Sequence, residues 1–163
     1  MSQHQSLDAM SPRRVVAMAR HWIGTPYQHQ ASCRGAGCDC LGLIRGIWRD
    51  LFGSEPEAPP AYSMDWSEPQ GEERLWHAAQ SHLRPKPLEA AALGDVLLFR
   101  MRDGAVAKHL GLQSRLGGGE RCGAEPGARF IHAYRGHGVV ESALTPPWRR
   151  RIVARFSFPE EQN

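Results

Sequence analysis

A chain of 163 residues with net charge +3 and a pI near 8.9 has the length of about one domain, expected here over residues 1–163. With 41% hydrophobic and 23% charged residues the composition is that of a globular protein, not of a disordered or membrane one. Its longest apolar runs, such as "GDVLLF", fall far short of the roughly 20 residues of a membrane span, and its basic clusters "PRR" (12–14) and "RRR" (149–151) read as solubilising charge without any nucleic-acid-binding signature.

The first residues, "MSQHQSLDAMSPRR", lack the order of a secretory signal, so synthesis in the cytoplasm without export by the usual route is expected. Ser11 followed by Pro12 is a helix start, and Val15, Val16, Ala19, Trp22 and Ile23 recur at helical steps, predicting a helix over 12–23 that stops at Gly24 and Pro26. The glycine-rich loop "GTPYQHQASCRGAGC" leads to Asp39, which can cap a second helix through "CLGLIRGIWRDLF" ended by Gly53. Leu43, Ile44, Ile47, Trp48 and Leu51 form its buried stripe, and the internal Gly42 and Gly46 predict close packing.

Residues 54–67 are proline-rich and read as an irregular crossing, followed by a third helix over 69–83 that "RPKP" stops. From Gly94 onward five short runs have β character: "DVLLFRM", "KHLGLQSR", "RFIHAYR", "GVVESAL" and "RIVARFSF". A long insertion, "LGGGERCGAEPG", follows the second. Helices followed by a meander of strands predict an α+β fold with the N-terminal helices packed on an antiparallel sheet of about five strands.

The chemistry centres on "CRGAGCDC". Three thiols in eight residues suggest a metal clip, but structural zinc takes ligand pairs from two knuckles and Cys122 stands alone in a glycine loop. The chain's full apolar quota needs no disulfide staples, so reduced thiols are expected. A cysteine nucleophile needs thiolate character, which a helix start favours. Cys40 is placed for that; Cys38 lies two residues outside the helix and Cys33 further still. His109 and His132 each fall inside strand patterns that adjacent strands would bring side by side, the base-plus-orienter arrangement of a papain-like site.

"GTPY" (24–27), "DCLGLI" (39–44), "GDVLLFR" (94–100), "KHLGL" (108–112) and "FIHA" (130–133), in this order, resemble the NlpC-type papain-like cell-wall peptidases, in particular their phage-tail and gene-transfer-agent branch, as does the closing "PPWRRRIVARFSF". The resemblance implies Cys40 as nucleophile, His109 as general base and His132 as the orienting residue. It also implies Tyr27 near the oxyanion or substrate amine and Asp39 as the acidic residue before the nucleophile. The substrate it implies is a peptidoglycan stem peptide, commonly cut between D-γ-glutamyl and a diamino acid, with no cofactor and no metal, by an enzyme carried in a phage-like tail among tail proteins. Where the family often has serine after the nucleophile, this chain has Leu41, which puts the choice of bond in question. The arginines at 34, 45 and 49 can meet stem-peptide carboxylates or form a solvated helix face. An inactive tail-tip or adaptor protein and a papain-like acyltransferase are the alternative readings.

Overall fold

The computed structural model describes residues 11–56, 62, 71–117 and 127–159. Helix α1 spans Pro12–Arg20 and begins as the sequence predicts: Ser11 caps it by accepting from the Arg14 N–H at 3.2 Å, and Pro12 occupies the first turn. It ends three residues earlier than predicted, the chain continuing through hydrogen-bonded turns to Gly24. The loop that follows contains a hairpin of β1 (Ser32–Cys33) and β2 (Gly37–Cys38). Helix α2 (Cys40–Phe52) is capped by Asp39 and terminated by Gly53 at φ 86°, a left-handed conformation that glycine adopts without strain. Both predicted glycine contacts exist. A Cβ on Gly42 would lie 1.8 Å from the Ala31 carbonyl oxygen, and one on Gly46 would lie 2.0 Å from Cζ2 of Trp22. The Trp22 indole, seated in that gap, donates to Asp50 at 3.0 Å and locks α1 to α2.

Helix α3 covers Arg74–His82, shorter than expected because 69 and 70 lie outside the described residues and 71–73 are not helical. The "RPKP" stop is itself a strand: β3 (Arg84–Lys86) pairs with β8 (Ile152–Ser157). Between them come β4 (Val96–Phe99), β5 (His109–Arg115), β6 (Arg129–Tyr134), β7 (Gly138–Ala143) and a one-turn helix α4 (Pro146–Arg150) that the sequence did not announce. The main sheet therefore has six antiparallel strands, in the order β3-β8-β4-β5-β6-β7. Four of the five predicted runs form the meander; the last returns beside β4. Most of the long insertion, including Cys122, lies outside the described residues.

The sheet separates two apolar layers. Alternate residues Val96, Leu98, Leu110, Leu112, Ile131 and Phe156 pack with α1 and α2. Leu97, Phe99, Phe130 and Leu144 form a smaller cluster on the other side, covered by Trp148 of α4. This alternation follows from the two-residue side-chain period of a strand. A buried ion network fastens β8 to its neighbours: Arg155 donates to Asp95 at 2.9 Å and to Leu88 O at 3.0 Å, and Lys86 donates to Asp95 at 2.8 Å. Among the described residues no helix is long and apolar enough to cross a membrane.

Candidate active site

Cys40 is held at the start of α2 by a segment stitched on both sides. Thr25 and Gly24 exchange backbone hydrogen bonds with Val139 of β7, and Cys38 donates to the Pro26 carbonyl while Gln28 donates to Cys38. Tyr27 is thereby bridged in parallel to Cys38, one turn of chain from the thiol. Asp39, 2% exposed, anchors the turn with both oxygens. One accepts from the Gly42 N–H at 2.7 Å, the other from the Gln30 N–H at 2.7 Å and from the Tyr62 hydroxyl. Gln30 has φ 64°, a strained geometry for a residue with a side chain, and its N–H aimed at Asp39 offsets that cost. Tyr62 also offers its carbonyl to His29 and Gln30 and lines one side of the site.

The histidines come from the sheet. Pairing of Leu112 with Ile131 brings β5 and β6 into register, and His109 and His132 meet with Nε2 of the first 2.8 Å from Nδ1 of the second. Gly111 makes this possible: a Cβ there would lie 2.8 Å from Phe130 Cδ2 and 3.4 Å from the His132 Cβ. The far nitrogen of His132, Nε2, lies 3.0 Å from Oγ of Ser142 on β7. Phe99, Phe130, Tyr134 and Trp148 surround the imidazole pair at ring separations of 4.1–6.1 Å. His132 is fully buried and His109 nearly so.

Cys40 and His109 line one cavity of about 200 Å³, together with Tyr27, Asp39, Lys108, Tyr134 and Arg135. At its floor the Cys40 thiol donates to the Lys108 carbonyl at 3.7 Å, beside His109. Burial pushes the thiol up to about 12, with the Asp39 charge adding to the shift and backbone N–H groups of Leu110 and Leu41 opposing it. This corrects the expectation that the helix start would favour thiolate. Asp39 absorbs an N–H of the first turn and sets a negative charge beside the sulfur. Burial also lowers His109 to about 3, reinforced by His132, and His132 to about 4, reinforced by His137. The resting pair is a neutral thiol and a neutral imidazole. Burial, followed by the nearby Cys40 and Asp39, raises the Tyr27 hydroxyl to about 12, so it is a donor at neutral pH.

All five residues singled out in the sequence, Tyr27, Asp39, Cys40, His109 and His132, therefore cluster, four on the cavity wall and His132 behind His109. Cys38 is buried and Cys33 exposed, both with free thiols. Arg45 and Arg49 do not reach the cavity: both clamp Glu55, and Arg49 also donates to Ser32. Burial works against the Glu55 charge, but the two guanidinium groups more than offset it and lower its pKa. Leu41 lines a separate apolar cavity of about 130 Å³ between α2 and α3, with Ile44, Trp48, Leu75 and Ala79. Tyr62, Ser142 and Trp148 escaped sequence reasoning. The first sits in a proline-rich stretch with no period, the second on a strand edge, and the third in a one-turn helix. Among the described residues no three His, Cys, Asp or Glu side chains converge as metal ligands would.

No family model matches the chain, and no curated protein matches it in sequence. Solved structures do. The NlpC/p60 domain of the peptidoglycan hydrolase SagA superposes with a TM-score of 0.58 at 23% identity, covering 91% of this chain and 100% of that one. An NlpC/p60 family protein from Bacillus cereus gives a TM-score of 0.60 at 16% identity over 91% of this chain and 40% of its own. A lipoprotein-like NLP/P60 protein from Staphylococcus aureus gives 0.57 at 16% identity over 92% and 42%. The chain thus spans about two-fifths of the length of the last two, and its six-stranded sheet with α2 docked against it is the NlpC/p60 fold.

Proposed function

We propose that this chain is a cysteine peptidase or amidase of the NlpC type that hydrolyses amide bonds in peptidoglycan stem peptides. One observation carries the reading: a cysteine at a helix start and a histidine at a strand start share a cavity, and a second, buried histidine holds the first. The likeness in fold to the domain of a peptidoglycan hydrolase supports the choice of substrate.

In the proposed cycle the Cys40 proton passes to Nδ1 of His109 as the sulfur attacks the amide carbonyl. Because burial disfavours a lone thiolate and a lone imidazolium alike, transfer accompanies attack and does not precede it. The Cys40 backbone N–H and the protonated Tyr27 hydroxyl stabilise the oxyanion. The leaving amine takes the proton from His109, giving a thioester. Water then attacks that thioester with His109 again as base, releasing the carboxylate and restoring the thiol.

The bond proposed is the one between D-γ-glutamyl and a diamino acid. Carriage in a phage-like tail, with tail proteins as partners, is proposed on the resemblance of the five sequence motifs to that branch. Incubation with purified peptidoglycan, followed by mass spectrometry of the soluble fragments, tests the core of this. New amine and carboxyl ends at a stem-peptide amide are expected, lost on thiol alkylation and retained with a chelator. Release by Cys40→Ala, or no release by the wild type, would overturn it.

A further inference from the structure

A histidine that takes a proton from a thiol must present a bare nitrogen to it. His109 uses Nε2 toward His132, so the bare atom has to be Nδ1 and the ring proton has to sit on Nε2. That proton can be donated only if His132 Nδ1 is itself bare, which places the His132 proton on Nε2, aimed at Ser142 Oγ 3.0 Å away. The chain of donors therefore runs from His109 to His132 to Ser142. The opposite chain is also complete in hydrogen bonds. If the Ser142 hydroxyl donates to His132 Nε2, His132 Nδ1–H donates to His109 Nε2, and the His109 proton is forced onto Nδ1, where it blocks Cys40.

Two imidazoles alone do not choose between these directions, since each accepts one proton on either nitrogen. The demand for a bare Nδ1 on His109 selects the first direction, and that direction needs an acceptor for the His132 N–H at its end, which the Ser142 hydroxyl supplies. His132 is 0% exposed and roofed by Trp148, so its Nε2 is sealed from solvent. Ser142 reaches it from the neighbouring strand through the pairing of Phe130 with Ser142, on the same face as His132.

Resting on the reading of His109 as the base for Cys40, we infer that Ser142 is a positioning residue that accepts the His132 Nε2–H and thereby keeps Nδ1 of His109 unprotonated toward the thiol. Losing that acceptor strands a buried N–H and favours the blocked tautomer.

The test needs no peptidoglycan. The rate at which iodoacetamide alkylates Cys40 at neutral pH is measured for wild type, Ser142→Ala, Ser142→Thr and His109→Gln. Ring-nitrogen NMR of ¹⁵N-histidine-labelled protein reads the tautomers directly. Ser142→Ala is expected to slow alkylation about tenfold and to move the His132 proton from Nε2 to Nδ1, while Ser142→Thr, which keeps the hydroxyl, restores both. A rate that depends on His109 but is indifferent to Ser142→Ala, or unchanged tautomers in that variant, overturns the inference alone. Alkylation as fast in His109→Gln as in wild type removes the base reading and the inference with it.

Discussion

On the sheet face that meets α1 and α2, Val96, Leu98, Leu110, Leu112 and Ile131 present aliphatic surface to Leu43, Ile47 and Val16. On the opposite face Phe99, Phe130, His109, His132 and Trp148 stack ring against ring, and the polar atoms of the two histidines meet each other and Ser142. The first face is held by filling volume, so any apolar side chain of similar size and shape serves. The second is held by satisfying directed groups away from water, so a change of chemistry without change of size is enough to disable it. Damage to the first should register as lost stability, damage to the second as lost turnover and altered response to acid.

The largest effect should come from the ring-face base and from the thiol that shares its cavity. Under the proposed mechanism, Cys40→Ala and His109→Gln should each lower turnover on a stem-peptide substrate roughly a thousandfold or more while circular dichroism stays unchanged. His132→Gln, which can still accept from the His109 ring, should keep more activity than His132→Ala. Equal activity of the two His132 variants would dissolve the distinction between volume and directed bonding on this face.

Glycine substitutions set the two faces side by side. Gly46→Ala drives a Cβ into the Trp22 ring at 2.0 Å, and should cost roughly 3 kcal/mol or prevent folding, as read by urea denaturation. Gly111→Ala meets Phe130 at a milder 2.8 Å and should cost about 1–3 kcal/mol. Its turnover should nevertheless fall further than the stability loss accounts for, since Phe130 moves against His132. Parallel losses in both measurements would erase the contrast.

Acid distinguishes the faces next. His109 and His132 titrate near 3 and 4 when folded, against about 6.5 in the unfolded chain, so the unfolded state binds more protons. Their contribution to stability is full above about pH 6.5 and is lost as pH falls toward these folded values, at roughly 1.4 kcal/mol per pH unit for each proton taken up. Urea midpoints followed from pH 7 downward should therefore fall less steeply in a His109→Gln/His132→Gln double variant. Leu98→Ala, on the aliphatic face, should lower the midpoint at every pH without altering the slope. A double variant with the wild-type slope would mean that the histidines do not resist protonation.

The smallest expected effect belongs to Leu41→Ser. Leu41 packs partly buried in the apolar cavity between α2 and α3, so the change should cost about 1 kcal/mol and leave turnover nearly unchanged. A large gain or loss of turnover would tie that cavity to the chemistry of Cys40.

Much of the scaffold was legible because its signals are local. Ser11 and Asp39 cap helices through their own next three residues, Gly53 ends one with a left-handed turn, and short β-type runs separated by turn signals mark β4 to β8. The close packing at Gly42 and Gly46 was legible too, since glycine inside a helix is costly unless a neighbour occupies the space. Short elements were not: β3 holds three residues around a proline and α4 makes little more than one turn, too few for any period to register.

At the site, residue types and order named Cys40, His109 and His132, because nucleophile and base chemistry draws on few side chains. Which groups those side chains meet depends on strand order and register, which bring together His109 and His132, 23 residues apart, and His132 and Ser142, 10 residues apart. Hence the bond from His132 to Ser142 and the roof of Trp148 had no local sign, and neither did the capture of Arg45 and Arg49 by Glu55 or the seating of Leu41 away from the thiol, which depend on packing outside the sheet. Charge state belongs to the same class. A helix start argues for thiolate through the chain's own dipole, but burial and the Asp39 carboxylate reverse that sign. Solvent exclusion is a property of the whole packed assembly, and no window of neighbouring residues contains it.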